Sequence, residues 1–262
     1  MSIFHTQAIT LKSQRWGEAD RIVTFYTWRF GKMRGVAREA RKMKSRFGGC
    51  LEPFFHTHLT GYEKGQDPLC RINQVDVQES FWGLRTSLEH MGAAASLVNL
   101  VMGLAPDRDS DPALFQLLLK GLGELEQAQD PALIALIFQI LVLGHTGFRP
   151  QVDQCAACGK SCQAKTAMFS PKAGGRVCSG CEGNRKEDGI VLSTGSLAFI
   201  QQVRLFDNSA VSSLKATGQI RMEVQNAIES YIQVVLEKPI ITSRRWATEM
   251  VGSTQDKGGG ML

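Results

Sequence analysis

Residues 20–28 read DRIVTFYTW, a run whose side chains would alternate between two faces if the backbone were extended. One face would carry Val23, Phe25 and Thr27, and the even-numbered positions from Ile22 to Trp28 would lie on the other. Similar short segments, separated by turn residues, occur at 3–11, 33–37, 54–62 and 69–77. Five short strands within about eighty residues predict a small Greek-key barrel of the OB type. An open five-stranded sheet has the same periodicity and remains an alternative.

After residue 80 the apolar residues follow a helical period instead. Two later helices are marked by the Asp-Pro pairs at 111–112 and 130–131. Asp accepts hydrogen bonds from the unpaired N–H groups of a helix N-terminus, and Pro at the next position has no N–H to leave unpaired. The second of these helices is apolar on almost all sides from Ala132 to Leu143, which is typical of a helix buried among others.

The predicted architecture is therefore α+β and multidomain: an N-terminal OB-type β-barrel followed by an all-α helical domain with an inserted four-cysteine zinc-binding segment. We predict the barrel domain at 1–80 and the helical domain at 81–251, with the zinc-binding segment at about 150–190. Residues 252–262 are rich in glycine and lack a core pattern, so we predict a disordered tail there.

Composition limits the possible classes of protein. The chain of 262 residues is 43% hydrophobic and 21% charged, which is typical of a folded protein. Its formal net charge is +5, and residues 1–80 carry 13 Lys/Arg against 8 Asp/Glu, which suggests an acidic partner for the barrel. No secretion signal is recognisable and the longest apolar run is too short to cross a bilayer, so we expect a cytoplasmic protein without membrane contact.

The strongest chemical signal is a pair of C-x-x-C motifs, Cys155–Cys158 and Cys178–Cys181, with 19 residues between them. Two residues between cysteines let one tight turn present both thiolates to the same metal ion, and Gly159 and Gly180 suit such turns. Four thiolates leave no open coordination position, so the predicted cofactor is structural zinc. Four unligated thiols are the alternative, and Cys162 could replace Cys158 as a ligand.

A basic segment begins at the third predicted strand. Seven cations crowd into fifteen residues: Lys32, Arg34, Arg38, Arg41, Lys42, Lys44 and Arg46. We predict that they contact DNA phosphates, since OB barrels bind oligonucleotides across a sheet face and its flanking loops. A solvated loop is the alternative. The neighbouring aromatic residues, which either stack on bases or fill the barrel, are Trp16, Tyr26, Trp28, Phe30 and Phe47. We favour the core for them, because small barrels must fill their interiors.

The sequence offers no support for an enzyme. None of its five histidines is followed two residues later by Glu, as a zinc deaminase would require, and no H-E-x-x-H, G-x-S-x-G or phosphate-binding loop occurs. Glu18 and Asp20 form an acidic pair, but their position in the turn before the second strand favours a solvated or strand-capping role. An RNA-binding or ribosome-associated protein with an OB barrel and a zinc ribbon would share these features and stays an alternative.

Several motifs also resemble those of a known family. Residues 17–23 read GEADRIV, 45–49 read SRFGG, 51–54 read LEPF, and 147–150 read GFRP shortly before Cys155. Together with Gly31-Lys32, Phe169-Ser170 and Gly174-Gly175, they resemble the bacterial recombination mediators called RecO, in order and spacing, over about residues 1–180. The chain departs from the family's frequent Arg-Gly-Ala-Arg in reading Arg38-Glu39-Ala40-Arg41.

The resemblance implies an N-terminal OB domain, a helical domain and, in many members, a zinc site. It implies binding of single- and double-stranded DNA, annealing of complementary strands, and help for RecA in loading onto DNA coated by the single-strand-binding protein SSB, together with RecR. It also implies that the C-terminal tail of SSB docks on the helical domain, although no motif assigns residues to that surface. By the same resemblance, the stretch Arg34–Arg46 forms part of the DNA-binding surface, and the protein works at the nucleoid.

Overall fold

The computed structural model describes residues 2–63, 68–162, 166–182, 189–205, 211 and 214–237. The chain divides into two compact units. The first unit combines Met1–Arg85 with Val101–Glu126, and the second combines Thr86–Leu100 with Gln127–Leu262. The predicted tail at 252–262 and the last part of the predicted helical domain, 238–251, lie outside the described residues.

The first unit is built on five strands that close into a barrel. They are β1 (Ser2–Trp16), β2 (Asp20–Thr27), β3 (Gly31–Ala37), β4 (His56–Glu63) and β5 (Leu69–Glu79). Their order around the barrel is β1-β2-β3-β5-β4, with β1 antiparallel to β4 and β3 parallel to β5. This is the connectivity of an OB barrel, so the predicted fold class is confirmed and the open sheet is excluded.

The alternation in β2 has the predicted consequence for the barrel core. Val23 and Phe25 are fully buried there. The other large members of this core are Phe4, Met33, Phe47, Leu51, Leu59 and Ile72. Fully burying one such side chain contributes roughly 1.5–3 kcal/mol, so this interior is the main source of the barrel's stability. Phe47 comes from the connection between β3 and β4, which is therefore anchored to the core rather than free in solvent.

Helical residues of the first unit cover part of the outer side of β2. They come from the end of α1 (Leu88–Leu104) and from α2 (Pro112–Glu126). The ring of Tyr26 stacks on Phe115 of α2 with 6.4 Å between ring centroids, and Trp28 meets the same ring edge-on. These contacts group Val101–Glu126 with the barrel, whereas a division at residue 80 separates strands from helices. The predicted domains 1–80 and 81–251 stay a prediction.

Within the described residues, the second unit contains α1 as far as Leu100, further helices and a three-stranded sheet. The further helices are α3 (Pro131–His145), α4 (Ser179–Glu182), α5 (Thr194–Leu205) and α6 (Gly218–Leu236). The strands are β6 (Thr166–Ser170), β7 (Gly175–Val177) and β8 (Ile190–Ser193), in the order β7-β6-β8. Most of α3 is buried, and it packs on α5 and α6. Its N-terminus is capped as predicted, because the Asp130 carboxylate accepts a hydrogen bond from Leu133 N at 3.1 Å.

Candidate metal centre and nucleic-acid interface

The structure brings the four predicted cysteines together in the second unit. The Sγ atoms of Cys155, Cys158, Cys178 and Cys181 all lie within 4.8 Å of one another, and those of Cys158 and Cys178 are 3.8 Å apart. A tetrahedral zinc ion with Zn–S bonds of about 2.3 Å has sulfur–sulfur edges of about 3.8 Å. Among the residues that the structure describes, no other group of His, Cys, Asp and Glu could hold a metal ion. The donor set and its size fit zinc.

Local backbone hydrogen bonds fix the first C-x-x-C turn. Gly159 N donates to Cys155 O at 2.8 Å, and Gly159 has a φ of +72°, a conformation that disfavours any residue with a Cβ atom. Cys155 N donates in turn to Lys160 O at 2.9 Å. Contacts within residues 155–160 therefore suffice to direct both thiols of this turn to the same side.

The second C-x-x-C turn is helical. Cys178 immediately precedes α4, and Cys181 N donates to Cys178 O at 2.9 Å. Gly180 lies inside α4 and is not among the residues with positive φ, so the prediction that its backbone freedom is needed here is wrong. One helical turn already places residues three apart on the same face, and any residue could occupy the position between them.

The electrostatics of the four thiols favour a bound cation. Burial opposes ionisation of Cys155, but hydrogen bonds from backbone N–H groups, first of all that of Cys178 at 3.3 Å, outweigh it and lower the pKa of this thiol to about 6. The neighbouring sulfurs of Cys178 and Cys158 raise the pKa of Cys181 to about 12. Four adjacent thiolates repel one another strongly, so complete ionisation of the cluster needs a positive ion at its centre.

The alternative ligand Cys162 lies outside the four-sulfur group. Its Sγ donates a hydrogen bond to Lys160 O at 3.5 Å instead. The chain turns back between Cys155 and Cys162, because Gln154 and Ser161 form an antiparallel bridge, and this places the fifth thiol beyond the turn.

In the first unit, two of the seven cations of the basic segment are held by acidic partners. Lys32 Nζ donates to Met102 O at 2.8 Å and lies 3.3 Å from a carboxylate oxygen of Asp107. Lys42 Nζ lies 2.6 Å from a carboxylate oxygen of Glu39. Glu39, which departs from the family pattern, thus neutralises one neighbouring cation.

Two arginines of the basic segment contact the barrel itself. The Arg41 guanidinium donates to the backbone carbonyls of Gly17 and Glu18, at 3.2 and 2.9 Å. The guanidinium carbon of Arg46 lies 4.9 Å from the centroid of the Phe47 ring, so this arginine covers the aromatic ring that the connection inserts into the core. Both side chains keep their charge at the surface while helping to fix the connection.

The remaining three cations of the basic segment have no partner among the described residues. Arg34, Arg38 and Lys44 are exposed and have no side-chain partner in the part of the chain that the structure describes. Arg34 projects from the outer face of β3, whereas Arg38 and Lys44 lie on the connection that follows. Within the basic segment, these are the cations whose charge no group of the described residues offsets.

Two grooves on the outside of the barrel collect the exposed cations. The first groove, of about 520 Å³, is lined by the cations Lys12, Arg15, Lys32 and Arg34. The second groove, of about 860 Å³, is lined by the cations Arg38, Lys42 and Arg71 and by two acidic residues that already have partners in the first unit, Asp20 and Glu39. Trp16 lines both grooves, and 56% of its surface is exposed. Arg41, Lys44 and Arg46 line neither groove, so the structure does not gather the basic segment into a single surface.

The residues that sequence reasoning missed are Lys12, Arg15 and Arg71. The first strand was predicted to end at Leu11, but β1 continues to Trp16, and the register pairs Lys12 with Thr24 of β2. Thr24 pairs in turn with Arg34 of β3, so Lys12 and Arg34 lie in one row across the outer face. No periodic signal in the sequence marked this extension, because residues 12–15 are all polar.

The acidic pair Glu18 and Asp20 has a structural position. The Asp20 carboxylate accepts a hydrogen bond from Glu39 N at 2.8 Å, which ties the start of β2 to the connection after β3. Glu18 is exposed in the turn between β1 and β2. This geometry agrees with the strand-capping interpretation.

Comparisons with known proteins cover nearly the whole chain. The family described as "Recombination protein O N terminal" matches residues 1–81, and the one described as "Recombination protein O C terminal" matches residues 85–245. The chain belongs to the RecO family. The resemblance noted in the sequence is thereby confirmed.

Among curated RecO relatives, "DNA repair protein RecO" of Dehalococcoides mccartyi is 32% identical over 235 residues, which cover 90% of this chain and 91% of the relative. The protein of that name from Desulfitobacterium hafniense is 30% identical over 249 residues, covering 94% and 89%. That of a Roseiflexus species is 33% identical over 239 residues, covering 90% and 82%. Membership of the RecO family assigns the chain a role in DNA repair and recombination.

None of the helices in the described segments combines the length and the apolar composition that a membrane span requires.

Proposed function

We propose that this RecO-family protein binds single- and double-stranded DNA on the outer face of its barrel and anneals complementary strands. The observation that carries the proposal is the convergence of cations from β1, β3, β5 and the basic segment on two adjoining grooves of an OB barrel. Barrels of this class bind oligonucleotides across such a face. A nucleic acid is the partner whose charge matches this surface.

Annealing on this surface requires no covalent step. The free cations neutralise phosphates, which lowers the repulsion between two strands and raises their local concentration, and base pairing then supplies the free energy. Lys12, Arg34 and Arg38 are the strongest candidates for phosphate contacts, because no acidic group among the described residues pairs with them. Lys32 and Lys42 line the grooves but are already paired with carboxylates, and we assign them a smaller share.

We further propose that the protein works with RecR to help RecA load onto SSB-coated DNA, and that the C-terminal tail of SSB docks on the helical part of the chain. Family membership supports this proposal. The corresponding location is the cytoplasm, at the nucleoid.

For the metal centre we propose a structural zinc ion held by Cys155, Cys158, Cys178 and Cys181. When bound, the ion would supply positive charge and fixed geometry rather than reactivity, since four thiolates fill its coordination sphere. The chain's own contribution is the pair of preformed turns, together with the N–H of Cys178 directed at Cys155 Sγ.

The test is strand annealing on SSB-coated DNA, with and without RecR, by the wild type and by a variant in which Lys12, Arg34 and Arg38 are replaced by Ala. We expect annealing without nucleotide hydrolysis, stimulated by RecR. For the variant, log K for single-stranded DNA should fall less steeply with log salt, by about 0.7 for each phosphate that the variant no longer binds.

Two results would contradict the proposal: acceleration that depends on ATP in the purified protein, or tighter binding to structured RNA than to DNA of equal length. The second result would favour the RNA-binding alternative.

A further inference from the structure

We infer that Trp16 is a stacking platform for one unpaired base, so that the two grooves hold a single strand which crosses the indole between them. The inference rests on the proposed function and deepens it, since it names the residue that distinguishes single-stranded from double-stranded nucleic acid.

Trp16 differs from the other barrel aromatics in its exposure. Phe25, Tyr26 and Phe47 are at most 2% exposed, whereas Trp16 is 56% exposed. The buried aromatics fill the interior or pack under α2, so they are not accessible to a base. Trp16 escapes burial because β1 runs on past the barrel core, as far as its pairing with Asp20 at the start of β2.

The surroundings of Trp16 suit a nucleotide chain. The indole is the one aromatic ring common to both grooves among the residues that line them. Arg15 and the row of Lys12 and Arg34 lie in the first groove, and Arg38 and Arg71 lie in the second. A strand that places phosphates against both sets of cations must therefore pass Trp16. Proteins that bind single strands combine cationic grooves with aromatic rings on which bases stack, and this is the combination present here.

Stacking makes a prediction that charge alone does not. The bases of a duplex are already stacked and paired, so an indole at the surface gains nothing from them. Trp16 should therefore contribute to binding of single strands and not of duplexes. Because it carries no charge, it should also leave the salt dependence of binding unchanged.

The experiment compares affinities of full-length wild type, Trp16→Ala, Trp16→Phe and Trp82→Ala. Trp82 is the matched control, because it is 69% exposed and lines neither groove. The probes are an oligothymidine, a duplex of the same length, and a strand of abasic sites that keeps the phosphates. For Trp16→Ala we expect about tenfold weaker binding of oligothymidine, the scale of one stacked base, with duplex binding changed less than about twofold.

The other variants and the abasic strand serve as controls. Trp16→Phe should recover most of the affinity, Trp82→Ala should behave like the wild type, and Trp16→Ala should bind the abasic strand as well as the wild type does. If Trp16→Ala lost the same affinity for oligothymidine as for the abasic strand, the inference would be overturned. Trp16 would then only shape the wall of the groove. Unchanged binding of oligothymidine by Trp16→Ala would also overturn the inference. If the wild type bound no DNA at all, the proposed function itself would fail, which is a distinguishable result.

Discussion

The cysteine cluster (Cys155, Cys158, Cys178 and Cys181) and the basic face of the barrel (the cations that line the two grooves) are both assembled from residues distant along the chain, but by different means. In the cysteine cluster, each C-x-x-C turn orients two sulfurs through contacts within the turn, so only the meeting of the two turns depends on the fold. On the basic face, strand register decides which cations lie side by side, as it does for Lys12 and Arg34. Pairing with an acidic residue then decides whose charge is offset, as Asp107 offsets that of Lys32. Spacing in sequence is informative where geometry is local, and much less so where geometry depends on register.

The largest expected effect is the removal of one sulfur from the cysteine cluster. Cys178→Ser should strongly reduce the zinc content and lower the free energy of unfolding by about 4 kcal/mol or more, because a water or hydroxyl oxygen at the fourth position binds zinc more weakly than the lost thiolate. Metal content by mass spectrometry and thermal unfolding by circular dichroism measure the two effects. Cys162→Ser is the matched control, since this thiol lies outside the four-sulfur group, and it should leave both unchanged. Absence of zinc from Cys162→Ser, with zinc retained by Cys178→Ser, would contradict the ligand assignment.

Alanine substitution at two neighbouring positions of β2 should lower the free energy of unfolding by amounts that differ several-fold. Phe25 is fully buried in the barrel core, and Phe25→Ala should lower the free energy of unfolding by about 3–5 kcal/mol. Thr24 lies half-buried on the outer face, and Thr24→Ala should cost less than about 1 kcal/mol. Urea denaturation of both variants checks the prediction. Similar costs at the two positions would mean that the register of β2 is wrong.

The smallest expected effect separates a free cation from a paired one on the basic face. Arg34→Ala should reduce the slope of log K against log salt for single-stranded DNA by about 0.7. Lys32→Ala should change that slope much less, because Asp107 already offsets the charge of Lys32. Titrations at several salt concentrations measure both slopes. If Lys32→Ala flattens the slope as much as Arg34→Ala does, Lys32 exchanges Asp107 for a phosphate when DNA binds.

Several features were predictable from sequence and others were not. The five barrel strands were recognisable because apolar residues alternate along them, but the end of β1 was missed, since residues 12–16 are mostly polar and carry no core signal. The sheet of β6, β7 and β8 was also missed, because strands of three to five residues are too short to establish a period. The grouping of α2 with the barrel depends on Tyr26 and Phe115, which are 89 positions apart.

By itself, the sequence determined the alternating strands of the first eighty residues, the helical region after them, the family resemblance and the two pairs of thiols. These features follow from periodicity and fixed spacing, which are properties of neighbouring residues. Only the tertiary structure decided that Tyr26 is buried while Trp16 stays exposed. It also decided that Asp107 offsets the charge of Lys32, whereas no acidic group among the described residues pairs with Arg34. The burial of a side chain and the pairing of its charge depend on which distant segments pack against it. The sequence around that side chain does not specify those segments.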